Sequence, residues 1–94
     1  METKHTPGEW AVSKTVNDFT IYAADTNKDV ALVYNYSRSI PDEEAKANAN
    51  LIAAAPAMLE TLKQVLSWLD EDRMTNSPLA RTIYETIQTA TEGN

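Results

Sequence analysis

Ninety-four residues with eight basic and fourteen acidic side chains carry a net charge of −6, with no cysteine and a single histidine. A chain of this length supplies one core, has no disulfide or thiolate chemistry to reinforce it, and cannot build a histidine metal site on His5 alone. A duplex-DNA surface needs clustered Lys and Arg to displace counterions from phosphates, and no such cluster exists here.

In chain order, Met1 to Gly8 lacks the apolar stretch of a signal peptide. Three short strands follow. Trp10-Ala11-Val12 comes after the Pro7-Gly8 turn pair, and Phe19-Thr20-Ile21-Tyr22-Ala23 alternates so that Phe19, Ile21 and Ala23 share a face. The third, Val30 to Tyr36, is rich in β-formers. Residues 16–18 and 25–29 are the turns, where Asn and Asp tolerate the left-handed conformation. Residues 1–40 therefore read as an antiparallel meander with one face in need of cover.

The helices begin at Pro41-Asp42-Glu43-Glu44, where proline fits the first turn and the acids suit the positive dipole end. An alanine-rich run, Ala45 to Ala55, then meets Pro56, which either kinks one long helix or opens a second. Met58, Leu59, Leu62, Val65, Leu66 and Leu69 share the face of the next segment, which ends near Asp70-Glu71-Asp72. Those three carboxylates point in different directions along a helix and read as a solvated end. Ser77 and Pro78 start the last helix, Leu79, Ile83, Tyr84, Ile87 and Ala90 give it an apolar face, and Gly93 stops it. The fold class is α+β: a three-stranded antiparallel β-meander followed by two to three α-helices packed on it. It reads as a single domain, 1–94, with the meander in 1–40, a helical segment in 41–72 broken or kinked at Pro56, and a C-terminal helix in 77–92. The most apolar run, Leu51 to Met58, is short and interrupted by Pro56, so no membrane partner is expected and the expected location is cytoplasmic.

Catalytic chemistry finds no foothold. No Ser-His-Asp or Ser-Lys arrangement is legible, and Gly8 and Gly93 are too far apart to cradle a phosphate. Asp25 to Asp29 resembles the opening of a calcium loop, but Lys28 interrupts it and the central glycine and terminal glutamate are missing. The expectation is a non-enzymatic protein with no catalytic residue, metal or cofactor.

Two candidate surfaces remain. Tyr34 and Tyr36 share a strand face, and with Lys14, Lys28 and Arg38 they offer a stacking platform with phosphate-binding cations. The alternative is that tyrosine simply covers a half-exposed sheet. On the middle helix, Met58, Val65 and Trp68 widen the apolar arc beyond what the Leu face needs. Either the last helix takes the surplus or a second copy does, in a homodimer or an assembly of dimers.

His5-Thr6-Pro7-Gly8-x-Trp10, followed by Glu44-Ala45-x-Ala47-Asn48-Ala49-x-Leu51-Ile52-Ala53-Ala54-Ala55-Pro56, resembles a family of small bacteriophage and prophage proteins. Their usual opening reads His-Thr-Pro-Gly-Pro-Trp, and Glu9 stands here in place of the second proline. The resemblance covers roughly residues 5–62 and implies an accessory protein in the host cytoplasm that modulates the host or blocks its defences. Two functions fit that setting. One is sequestration of a nucleotide signal on the tyrosine platform. The other is inhibition of a host defence or nucleic-acid-binding protein, occluded by the acidic helices: nine of the fourteen acids lie after residue 40, against Lys46, Lys63, Arg73 and Arg81.

Overall fold

The computed structural model describes residues 3–16, 18–35, 39–71 and 77–93. Within them run β1 (Trp10–Lys14), β2 (Asp18–Ala23), β3 (Asp29–Tyr34), α1 (Asp42–Ala53), α2 (Ala55–Glu71) and α3 (Pro78–Glu92). The strands form an antiparallel sheet in the order β1-β2-β3, the meander expected from the turn spacing. An α+β fold of three strands followed by three helices is the result.

Strand alternation sets the two sheet faces. Phe19, Ile21 and Ala23 are buried, while Thr20 and Tyr22 point the other way and are half-buried. The β2–β3 turn closes through Ala23 N–H donating to the Lys28 carbonyl (2.8 Å) and Asn27 N–H donating to the Ala23 carbonyl (2.7 Å). Asn27 takes a positive φ of 60°, which its short polar side chain tolerates. Between β1 and β2, Thr15 N–H donates to the Asp18 carbonyl and the Thr15 hydroxyl to the Asp18 carboxylate. Asn17, part of the expected 16–18 turn, lies outside the described residues.

The approach to β1 is a local clip. The Trp10 indole N–H donates to the Thr6 carbonyl at 3.0 Å, and Gly8 between them has φ +89°. A Cβ on Gly8 would sit 2.9 Å from Asp25 Oδ2. The exposed Asp25 carboxylate can swing aside, but the positive φ disfavours any residue with a Cβ, so Gly8→Ala is expected to lower stability by about 1–2 kcal/mol. Thermal melting of the variant checks this; an unchanged midpoint would show that the clip relaxes freely.

One compact unit spans Thr6–Pro56, and α1 covers its sheet. Ala45 and Ala49, both at 0% exposure, meet Phe19 and Ile21, with Trp10, Val12, Val33 and Ile52 around them. Alanine on the buried stripe brings the helix backbone close to the sheet. At its start, Glu44 and Ala45 N–H groups donate to the Pro41 carbonyl, and Asp42, Glu43 and Glu44 occupy the first turn. The third strand ends at Tyr34, where buried Asn35 turns its amide to donate to the Ile40 carbonyl at 3.0 Å, and Tyr36, the expected last residue, lies outside the described residues. The helical run divides at Ala54, and Pro56 stands second in α2, where its missing N–H leaves no intrahelical bond unmade.

Ala57 onward belongs to a second compact unit with a core of its own, where the chain length predicts a single one: two amphipathic helices suffice to enclose a small seam by themselves. Its core joins α2 and α3 through Leu59, Leu69, Ala80, Ile83 and Ile87, with Leu62, Val65 and Leu66 packed against them. Ser77 accepts a hydrogen bond from Ala80 N–H (3.1 Å), Pro78 opens α3, and Gly93 ends it in the left-handed region at φ 78°. These are the caps read from the sequence. On α3 the buried stripe is Ala80, Ile83 and Ile87, so Leu79 and Tyr84, expected on the apolar face, flank it and are exposed. Asp72, in the expected acidic helix end, lies outside the described residues.

Candidate functional site

The sheet places its candidate side chains by register. Lys14 pairs with Phe19, and Phe19 with Val33, so all three share the face that α1 covers. The Lys14 ammonium lies 5.8 Å from the Phe19 ring centroid and 3.9 Å from Asp42 Oδ2. Tyr34 pairs with Asp18 on the opposite face, beside Leu32, which stands across from Thr20. Tyr34 is 64% exposed and Leu32 54%. Lys28 sits in the β2–β3 turn, at the other end of β3 and roughly 20 Å along the strand from Tyr34. The sheet therefore does not bring Lys14, Lys28 and Tyr34 together. Tyr36 and Arg38, the remaining members of the expected platform, lie outside the described residues.

What the open sheet face does hold is a short apolar and aromatic strip, Tyr22, Leu32 and Tyr34, with Thr20 and Asp18 beside it. Leu32 carries no sequence signal of its own beyond β-propensity. Its place follows from strand parity once β3 is aligned with Thr20.

On the helices, the expected contact residues divide. Val65 is half-buried against the α2–α3 core, whereas Met58 and Trp68 are exposed, Trp68 at 59%. Leu79 of α3 adds a further exposed apolar side chain. Between α2 and α3 run two open depressions, one lined by Leu66, Asp70, Ala80, Arg81 and Tyr84, the other by Lys63, Leu66, Ser67, Asp70 and Ile87. Both mix charge with apolar floor and neither encloses a volume in which chemistry would be shielded from water.

Among the described residues no group of three or more His, Asp or Glu is placed to hold a metal ion. None of the described helices is long and apolar enough to cross a membrane. The surface of the helices is dominated by carboxylates: Asp42, Glu43, Glu44, Glu60, Asp70, Glu85 and Glu92 are exposed, against exposed Lys46 and Arg81 and half-buried Lys63.

Comparison with known proteins gives one family. A family model described as Salmonella phage P22 protein Y8K6 matches residues 1–93. No curated protein and no solved structure matches the chain.

Proposed function

We propose that this chain, which belongs to the family of Salmonella phage P22 protein Y8K6, acts by binding and without chemistry of its own, as an inhibitor that occupies a basic surface of a host protein. The observation that carries this is the charge of the helices. On α1, exposed Asp42, Glu43 and Glu44 form the first turn with Lys46 as the only basic residue of that helix, and α2 and α3 separately carry exposed Glu60, Asp70, Glu85 and Glu92 with Lys63 and Arg81. An acidic helix start such as that of α1 suits a channel built to hold nucleic acid, so the inferred target is a host defence or nucleic-acid-binding protein. Complementary charge of this sort speeds encounter and makes binding salt-sensitive.

Sequestration of a nucleotide signal is the second reading, favoured by the exposure of Tyr34. It ranks behind the first because Lys14 lies on the other sheet face and Lys28 at the far end of β3. Phosphate neutralisation would then fall to Arg38 or to a second chain.

Affinity capture from infected cells separates the two. The wild-type chain is expected to retain a nucleic-acid-binding host protein that is released by rising salt and displaced by competing nucleic acid. A Glu43→Gln, Glu44→Gln variant, which keeps shape and removes charge, should lose most of that capture. Capture indifferent to salt and to both substitutions would overturn the proposal. A nucleotide released on denaturing the purified chain, at close to one per subunit or per dimer, would support the second reading instead.

A further inference from the structure

We propose that α2 and α3 pair with the same two helices of a second copy of this chain, across the side of the hairpin that carries Met58, Val65, Trp68 and Leu79. Two helices enclose a single seam, here Leu59, Leu69, Ile83 and Ile87, and whatever flanks the seam stays at the surface unless another layer covers it. The depressions set Asp70 beside Ala80 and Lys63 beside Ile87, so the helices run antiparallel.

The two flanks of that seam differ in chemistry. One is lined by Lys63, Ser67, Asp70, Arg81 and Tyr84 and suits water. On the other, the helical period places Met58 and Val65 roughly 60–80° from the seam direction and Trp68 roughly 140°. An antiparallel α3 brings Leu79 to that same side at about 75°. Among the described residues, those between these apolar groups are threonines and an alanine, Thr61, Thr82, Thr86 and Ala90. No charged side chain of the described residues lies on this flank, although the helices are heavily charged elsewhere. A chain of net charge −6 pairs with itself only through a surface of this sort, where a two-fold axis brings no like charges together. A basic partner would instead be drawn to the carboxylate faces.

The exposed apolar side chains supply part of the area that a second copy would cover. Trp68, Leu79 and Met58 are 59%, 58% and 43% exposed, leaving on the order of 300–400 Å² of side chain in water. That is a little under half of the roughly 800 Å² that a standard interface covers on each partner, and the intervening threonines and Ala90 add to it. Trp68 is the natural anchor, and the product is a four-helix arrangement in which both hairpins gain a second layer.

Sedimentation velocity of the full chain is expected to give twice the chain mass at micromolar concentration. Trp68→Glu and Leu79→Glu should each weaken the dimer about 30-fold or more, while Tyr84→Glu on the opposite flank leaves it unchanged. Because the wild-type chain has no cysteine, single cysteines report the geometry even where a charged variant fails to fold. An equimolar mixture of Trp68→Cys and Leu79→Cys chains, or Met58→Cys alone, should form inter-chain disulfides under mild oxidation. Arg81→Cys should not. A wild-type chain that stays monomeric at high micromolar concentration, or a dimer that crosslinks only through Arg81→Cys, would overturn the proposal.

Discussion

Truncating Ile21 to alanine is expected to remove about 2–5 kcal/mol from the stability of the Thr6–Pro56 unit, toward the upper end of that range. Ile21 is on the central strand, fully buried, and registers with Val12 on one side and Ala31 on the other. Above it lie Ala45 and Ala49. The cost of such a truncation depends on how far neighbours can move in to fill the space. Here several neighbours are alanines with no further reach, and the sheet fixes the backbone on both sides. Against a total of about 5–15 kcal/mol for a domain, a loss of this size leaves the unit barely folded at room temperature. Urea denaturation followed by circular dichroism measures it, with Leu32→Ala on the open face as the control, expected to change stability by less than about 1 kcal/mol. A loss below 1 kcal/mol for Ile21→Ala would mean that the sheet and α1 close over the cavity.

The same residue shows why so much of the fold was readable. Phe19, Ile21 and Ala23 alternate without interruption, and alternation names both the element and its buried face. Ser77, Pro78 and Gly93 mark the ends of α3 because each solves a local backbone problem that exists only at a helix terminus. Boundaries set by longer-range contacts were less visible. The third strand ends at Tyr34, where Asn35 reaches to Ile40, a contact that β-propensity does not register. The helical run, by contrast, divides at Ala54, two residues before the proline that the sequence marks as the break or the opening of a second helix. On α3, Leu79 is the larger side chain, yet Ala80 is the buried one. Residues 80, 83 and 87 face the seam, and a list of apolar residues does not say which three form the stripe.

The candidate site was legible only in part, for a related reason. Reading the first strand as ending at Val12 left Lys14 without a face. Its pairing with Phe19 puts it on the covered side, and Asp42 draws its ammonium toward α1. In this chain the Thr6 to Trp10 segment serves the approach to β1, through the Trp10–Thr6 bond and the positive φ of Gly8. The alanines of α1 serve its contact with the sheet. The segments that carry the resemblance to phage proteins are thus occupied with folding, which is why they named a setting and no mechanism. Function falls to exposed side chains, whose partners the chain's own packing does not specify.

Close approach of α1 to the sheet leaves no room for a larger side chain at Ala49. Leucine there should cost about 3 kcal/mol, although leucine forms helix almost as well as alanine. Ala49 has 0% exposure and packs with Phe19 and Ile21, so three additional carbons have nowhere to go unless α1 lifts from the sheet. Glycine provides the complementary measurement. It removes a methyl group and leaves the close approach intact, so its loss is set by helix propensity, about 1 kcal/mol, plus a small cavity. The expected order of stability is therefore wild type, then Ala49→Gly, then Ala49→Leu. If propensity governed α1, the order of the two variants would reverse, with leucine nearly neutral. Ala47, exposed on the far side of the same helix, separates the cases within one experiment. Ala47→Leu should melt within a few degrees of wild type, whereas Ala49→Leu should lose on the order of 10 °C or more, using about 4–8 °C per kcal/mol for a domain of this size. Equal melting temperatures for the two leucine variants would show that α1 does not lie close against the sheet at Ala49.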